Sequence, residues 1–335
     1  MAETPVRIAV AGLGRVFERF HLPALLATAG ADLVAVCDPD EERRVWAREW
    51  LPGVPVDADF GELLDAGAEA LLLLTPPATH ADLACAALRA GLHVLVEKPM
   101  ALDRAEAMAM TDAARAARRR LQIGFTRRFR EPYRRLKARL PSLDSSAAVD
   151  FELRFPISSW GAGSFLGDDH AGGGVLDDVL PHQADLLRWL LGASPSRARV
   201  ADHGAAGYVC ELEFHSGVVA RCGTGHGSYR EWLSVRLAGT AFAASGSTFR
   251  GGQTAASSWW PPLAWLSDRA ALAAARVLRT PNVTHRSFEA QLRDFLAAVR
   301  GRAASGAGPA DGLAAIAVAE ACRRSLGTGD WEAVI

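Results

Sequence analysis

The chain has 335 residues, with 37 basic and 38 acidic side chains and half of its residues hydrophobic. That length suits about two domains, and the composition excludes a wholly disordered chain. A net charge of −1 gives no global attraction to nucleic acid or to an anionic membrane surface. No apolar run reaches the ~18 residues of a membrane span. The polar residues 1–5 lead straight into an apolar strand, which leaves no room for a signal peptide.

Five cysteines, at 37, 85, 210, 222 and 322, form no C-x-x-C pair and no zinc spacing, so no metal site is expected. Their odd number and wide spacing indicate reduced thiols in a cytoplasmic compartment. Lysine is scarce: Lys98 and Lys137 stand among 35 arginines. In a chain of such high-GC character, a retained lysine supplies what arginine lacks, a compact ammonium with a shiftable pKa.

In chain order, 6–11 predicts a strand, 14–29 a helix, 33–37 a strand, 41–50 a helix and 70–74 a third strand. Thr79-x-x-Asp82 predicts a capping box for a helix reaching Arg89 and stopped by Gly91; 93–96 is a fourth strand. Asp103-x-x-Glu106 caps the next helix, and 121–124 is a fifth strand. Apolar strands without alternation, separated by helices, indicate a doubly wound α/β domain with a parallel sheet covered on both faces. Beyond it, strands at 148–155, 208–214, 218–223 and 233–238 indicate an antiparallel sheet in an α+β domain. A glycine-rich loop at 161–174 leads into a helix at 175–191, and two late helices, 288–300 and 312–325, flank a linker at 304–309. The stretch 251–284, with Trp259-Trp260, has no assigned element, and these tryptophans and His226 are taken as structural. The expected domains are 1–124 and 125–335, with the closing helices at 286–325 packing back on the first.

The loop Gly12-Leu-Gly14-Arg15-Val16-Phe17 follows the first strand and opens the first helix. Gly12 permits a tight turn, and Gly14 lets the backbone approach a pyrophosphate at the helix N-terminus. Phe17 stands where the third small residue of G-x-G-x-x-G belongs, a bulky departure at a close helix–strand contact. Asp38 ends the second strand, where an acid binds adenosine ribose hydroxyls and repels a 2′-phosphate, favouring NAD over NADP. Arg43 and Arg44 blur that preference, and Asp38 equally suits a cap for the helix at Glu41. Glu97-Lys98-Pro99 ends the fourth strand, placing a scarce ammonium at the ligand-binding edge; a surface Glu–Lys pair is the plainer alternative. After the glycines, Asp178 and His182 are i, i+4 neighbours on one predicted helix, with Asp185 continuing the face. A carboxylate beside an imidazole tunes and orients it for acid/base work. Pro181 in the first turns removes an N–H and predicts a kink.

G-L-G-R…H-L-P-A-L at 12–25, C-D-P-D at 37–40, T-P-P-A-T-H at 75–80, E-K-P at 97–99, G-F-T-R-R-F at 124–129 and G-G-G-x-L-x-D-x-x-x-H-x-x-D at 172–185 follow in this order. Together they resemble the glucose–fructose oxidoreductase / inositol dehydrogenase / MocA family over nearly the whole chain. The resemblance implies a Rossmann domain plus a C-terminal domain with a large open, mostly antiparallel sheet that forms homodimers or homotetramers. It implies NAD- or NADP-dependent oxidation or reduction of a carbohydrate, cyclitol or nucleotide-sugar. Lys98 then contacts the reacting oxygen, and His182 is the acid/base oriented by Asp178. Thr75, Pro76, His80 and Glu97 line the cofactor, Arg128 approaches nicotinamide and substrate, and Trp160 and 168–170 line the substrate pocket or pack the loop. Leu180 stands where the family commonly has glycine. A non-catalytic dinucleotide sensor and an NAD-dependent glycosidase are the alternatives on the same fold.

Overall fold

A computed structural model of the chain describes residues 4–155, 174–204, 207–237, 240–252 and 283–335. The chain divides into two compact units, Met1–Phe125 with Phe288–Leu313, and Thr126–Ser287 with Ala314–Ile335.

In the first unit the strands β1 (Val6–Ala11), β2 (Ala31–Cys37), β3 (Val56–Asp57), β4 (Ala70–Leu73), β5 (His93–Val96) and β6 (Leu121–Ile123) form one parallel sheet in the order 3-2-1-4-5-6. All of β4 and nearly all of β1 are buried, the pattern of a sheet covered on both faces. The connecting helices are α1 (Leu22–Ala27), α2 (Glu41–Trp50), α3 (Phe60–Leu64), α4 (His80–Arg89) and α5 (Arg104–Ala117). Asp40 and Asp59 cap α2 and α3 by accepting from the N–H groups of Glu42 and Gly61. At α5 the cap forms, with Asp103 accepting from Glu106 N–H at 2.9 Å, and the return bond of Glu106 goes one residue further back, to Leu102 N–H at 2.9 Å. The box expected at Thr79 does not form. Its hydroxyl turns back to Thr75 Oγ1 and Pro76 O, so α4 starts without a side-chain cap. Ile8, Val10, Phe17 and Leu72 share a core with Phe288, Leu292, Phe295 and Leu296 from much later in the chain.

The second unit contains α6 (Glu131–Arg139), β7 (Ala148–Phe155), α7 (Val175–Asp178), α8 (Leu180–Leu191), β8 (Pro195–Gly204), β9 (Gly207–Phe214), β10 (Val219–His226), β11 (Arg230–Leu237), β12 (Thr240–Ser245), β13 (Phe249–Gly252) and β14 (Glu332–Ala333). Two long helices, α9 (Val283–Val299) and α10 (Pro309–Thr328), each carry the chain from one unit to the other. The eight strands form a sheet in the order 13-12-11-7-10-9-8-14, antiparallel throughout except for the parallel β7–β10 pair. Phe151, Leu153, Leu212, Ala220 and Leu233 on its inner face pack with Leu186, Leu187 and Leu190 of α8. Charged pairs such as Arg197–Glu213 and Arg236–Asp150, each at 2.6 Å, link neighbouring strands at exposed positions. The second scarce lysine, Lys137, sits over the Trp189 ring and donates to the Trp189 carbonyl near the end of α8. All five cysteines are buried and outside disulfides. Among the described residues no helix is long and apolar enough to cross a membrane. Trp160, the glycine-rich stretch 161–173 with 168–170, and Trp259-Trp260 lie outside the described residues.

Candidate active site

Strands β2, β1, β4 and β5 are consecutive in the first sheet, so their carboxyl ends lie side by side. The chain leaves them at Asp38, Gly12, Leu74 and Glu97, at the edge where doubly wound sheets bind ligands. Ladder hydrogen bonding continues past the strand ends, from Gly12 N–H to Cys37 O, Leu74 N–H to Ala11 O and Glu97 N–H to Leu73 O. Gly12 has φ +92°, and a Cβ there would lie 2.7 Å from the Leu74 carbonyl group. Only glycine fits. A Cβ at Gly14, by contrast, meets nothing within 4 Å. The described packing does not require a glycine at 14; the open space it leaves is a cradle at the start of the first helix, where Arg15 and Val16 follow.

Asp38 is nearly buried, and its carboxylate organises this loop from below. Oδ2 accepts from Leu13 N–H at 2.7 Å and Oδ1 from Asp40 N–H at 2.9 Å. The helix cap belongs to Asp40, which settles one of the two roles open for Asp38. Arg44 donates to the carbonyls of Asp38 and Pro39 and to Glu41, so its guanidinium is committed to the backbone of this turn.

Phe17 does not obstruct the loop. It is fully buried in the core, edge-on to Trp46 at 6.2 Å. The helix accommodates it by widening: Phe17–His21 is a π turn, closed by Leu22 N–H on Phe17 O. Such single turns recur at functional sites, and this one puts both Phe17 and His21 on the buried side.

Two residues expected to line the cofactor, His80 and Glu97, make hydrogen bonds within the protein. His80 has no exposed surface; its ring nitrogens lie 2.8 Å from Thr75 O and 2.9 Å from Pro99 O, tying the T-P-P-A-T-H loop to the E-K-P turn. Burial pushes its pKa down, against the carbonyls of Thr75 and Pro99 and the Glu97 charge. Glu97 has both oxygens engaged within the protein, Oε1 at 2.9 Å from His21 Nε2 and Oε2 accepting from Lys98 N–H at 3.1 Å. Half-buried Lys98 follows directly, at the end of β5. Thr75 and Pro76 are partly exposed or exposed beside it in the β4 loop.

In the second unit the expected helix 175–191 is two helices. Pro181 has no N–H and falls in the first turn of α8, where a helix leaves its N–H groups unpaired anyway. Asp178 therefore ends α7 and His182 lies in the first turn of α8, so they are not i, i+4 neighbours on one helix. Both are buried. Asp178 Oδ2 lies 3.5 Å from Nε2 of His226, which ends β10 and was expected to be structural. The parallel register pairs His226 with Phe155. The Phe155 ring in turn meets His182 edge-on at 6.2 Å and Tyr229 at 5.9 Å.

Arg128, expected at the nicotinamide and substrate, is bidentate on Asp185, with Nε at 2.9 Å and Nη2 at 2.5 Å. Beside it a single buried carboxylate, Glu231, accepts from Arg127 Nε (3.2 Å), Arg130 Nη1 (2.6 Å), Tyr133 Oη (2.9 Å) and Tyr229 Oη (2.6 Å). Burial pushes the Glu231 carboxyl up, but Arg127 and Arg130 outweigh it and hold it at about 2. Sequence reasoning missed this cluster: Arg127, Arg130 and Tyr133 lie about a hundred residues before Glu231, and only the packing of the 126–139 turn and helix against β11 joins them.

Residues 6–125 match the family model described as an oxidoreductase family, NAD-binding Rossmann fold, and residues 152–334 match its C-terminal alpha/beta domain. The rhizopine catabolism protein MocA of Rhizobium meliloti is 28% identical over 96% of this chain and 96% of that protein. The inositol 2-dehydrogenase of Streptomyces avermitilis is 37% identical over 49% of this chain and 47% of that protein, about half of each. The crystal structure of myo-inositol 2-dehydrogenase from Lactobacillus plantarum shares the fold, with a TM-score of 0.77 at 21% identity over 99% of this chain and 100% of that one. Both modules are matched in the same order as the two sheets, and the chain belongs to the Gfo/Idh/MocA family of oxidoreductases with an NAD-binding Rossmann fold.

Proposed function

We propose that this oxidoreductase is an NAD-dependent dehydrogenase acting on a CH–OH group of a cyclitol, sugar or nucleotide-sugar. The observation that carries the cofactor half is the Gly14 cradle above a loop that Asp38 grips through Leu13 N–H. A carboxylate offers about four lone-pair sites. Two of those on Asp38 hold backbone amides, and the remaining capacity suits ribose hydroxyls. Its negative charge disfavours a 2′-phosphate, so NAD is preferred over NADP. Gly12, Gly14, Arg15 and Val16 would hold the pyrophosphate, with Thr75 and Pro76 flanking it. His80 and Glu97 would support these loops without touching the ligand. The cofactor, when bound, supplies a hydride acceptor at its nicotinamide C4.

This chain's own residues handle the oxygen and its proton. The Lys98 ammonium donates a hydrogen bond to the substrate oxygen and stabilises charge that develops as the hydroxyl proton leaves. His182 accepts that proton and returns it in the reverse direction. Asp178, braced by His226, orients the imidazole. Relatives named as inositol 2-dehydrogenases favour a cyclitol among the three substrate classes. The open face of the eight-stranded sheet is the proposed surface for a homodimer or homotetramer, which light scattering reads directly.

Calorimetric titration with NADH and then NADPH, followed by turnover with myo-inositol and NAD, tests the reading. Micromolar binding with a preference for NADH and measurable oxidation support it. Lys98→Met and His182→Ala then keep cofactor affinity and lose most of kcat. Binding of neither nucleotide, or near-normal turnover in both variants, overturns it.

A further inference from the structure

We propose that His21 is a positioning residue for Lys98, acting through the carboxylate of Glu97. The inference rests on the reading above, in which Lys98 meets the reacting oxygen. His21 and Glu97 are separated by 76 residues and meet at 2.9 Å with side chains 4% and 13% exposed. A carboxylate only accepts, so Nε2 of His21 carries the proton. The other oxygen of the same carboxylate receives the backbone N–H of Lys98 at 3.1 Å. Because a carboxylate is planar, fixing Oε1 fixes Oε2, and with it the peptide from which the Lys98 side chain departs.

The carboxylate has little freedom elsewhere. It lies against the bare backbone of Gly124, where a Cβ would stand 2.9 Å from Oε2, 3.0 Å from Cδ and 3.1 Å from the Glu97 Cα. His21 is held with equal firmness. Its ring meets Phe288 edge-on at 4.8 Å, and Phe288 stacks on Phe20 at 5.0 Å. The π turn that absorbs Phe17 also carries His21, so the helix that opens at the glycine loop is tied to the E-K-P turn through one hydrogen bond. A preorganised ammonium needs such support, because small misplacements of a catalytic group are costly.

The scarcity of lysine makes the test direct. Reductive methylation with isotopically labelled formaldehyde marks Lys98, Lys137 and the terminal α-amine, and loss of one NMR signal in each of Lys98→Arg and Lys137→Arg assigns the two lysines. His21→Ala is expected to shift and sharpen the Lys98 signal while the Lys137 signal, set over the Trp189 ring, stays in place. It should lower kcat with myo-inositol by about ten- to a hundredfold and leave NADH affinity unchanged. His21→Gln, which keeps a donor near the Nε2 position, should restore most of both readouts. Gly124→Ala pushes on the carboxylate from the other side and should reproduce the Lys98 shift even if His21→Ala does not fold. A Lys98 signal unmoved in His21→Ala and in Gly124→Ala overturns the inference. Near-normal turnover in Lys98→Met instead overturns the functional reading, while the signal shift, which needs no substrate, still decides the role of His21.

Discussion

In the first unit, main-chain groups do most of the holding of functional side chains: Asp38 rests on the amides of Leu13 and Asp40, His80 on the carbonyls of Thr75 and Pro99, and Glu97 on the amide of Lys98 as well as on the His21 ring. In the second unit, charges hold charges: Arg128 on Asp185, and Arg127 and Arg130 on Glu231. Cutting a side chain from a backbone amide loses a hydrogen bond of net worth about 1 kcal/mol. Removing one member of a buried ion pair strands the other in a medium that cannot solvate it, at about 3–5 kcal/mol. The first unit can therefore lose a contact and keep its fold, whereas the second depends on keeping its charges balanced.

That contrast is most exposed at Glu231. Glu231→Ala leaves Arg127 and Arg130 without their carboxylate and should destabilise by about 3–5 kcal/mol, read as a lower urea midpoint; a loss no larger than that of a surface variant breaks the comparison. The same residue sets a pH dependence. Its folded pKa of about 2 lies below the ordinary 4.5, so its contribution is complete above that ordinary value and drains away as pH falls toward 2. Glu231→Gln should flatten the stability profile in that acid window. Next in size, Asp38→Ala should weaken NADH binding by about tenfold, or ~1.4 kcal/mol, by calorimetry, and lower the urea midpoint through the loss of about 1 kcal/mol for each of the two backbone amides it releases. His226→Ala should lower kcat by about three- to tenfold, since 3.5 Å is at the long end of hydrogen bonding, with NADH affinity intact. Arg236→Ala, which breaks an exposed pair with Asp150, should cost under about 1 kcal/mol.

Much of the first unit was legible because its signals are local. Uninterrupted apolar runs marked β1, β2, β4 and β5, and glycine, aspartate and the E-K-P turn marked where each ends. The two-residue β3 is too short for any period, and β12, Thr240–Ser245, is rich in alanine, a weak strand former. The positions of Asp178 and His182 were legible, but the break between them needed the backbone, because a proline in a helical pattern fits a kink or a start equally well. The π turn left no mark, since residues four apart share a face in an ordinary helix too. His226 and Glu231 could not be found by spacing at all. Their partners come from other strands and helices, and only the tertiary packing of helix against sheet brings a residue near 130 to one near 230.

The core of the first unit has a further consequence for how the protein is made. Phe288, Leu292, Phe295 and Leu296 belong with Ile8, Val10 and Leu72, yet the second unit's main segment intervenes in the chain. A ribosome adding about 5–20 residues per second needs on the order of ten to thirty seconds to pass from the last strand of the parallel sheet to these aromatics. For that interval the nascent sheet carries an apolar face that α1 and α2 cover only in part. It is then a candidate for chaperone retention, and a gene fragment ending after β6 would express a domain with its core permanently incomplete.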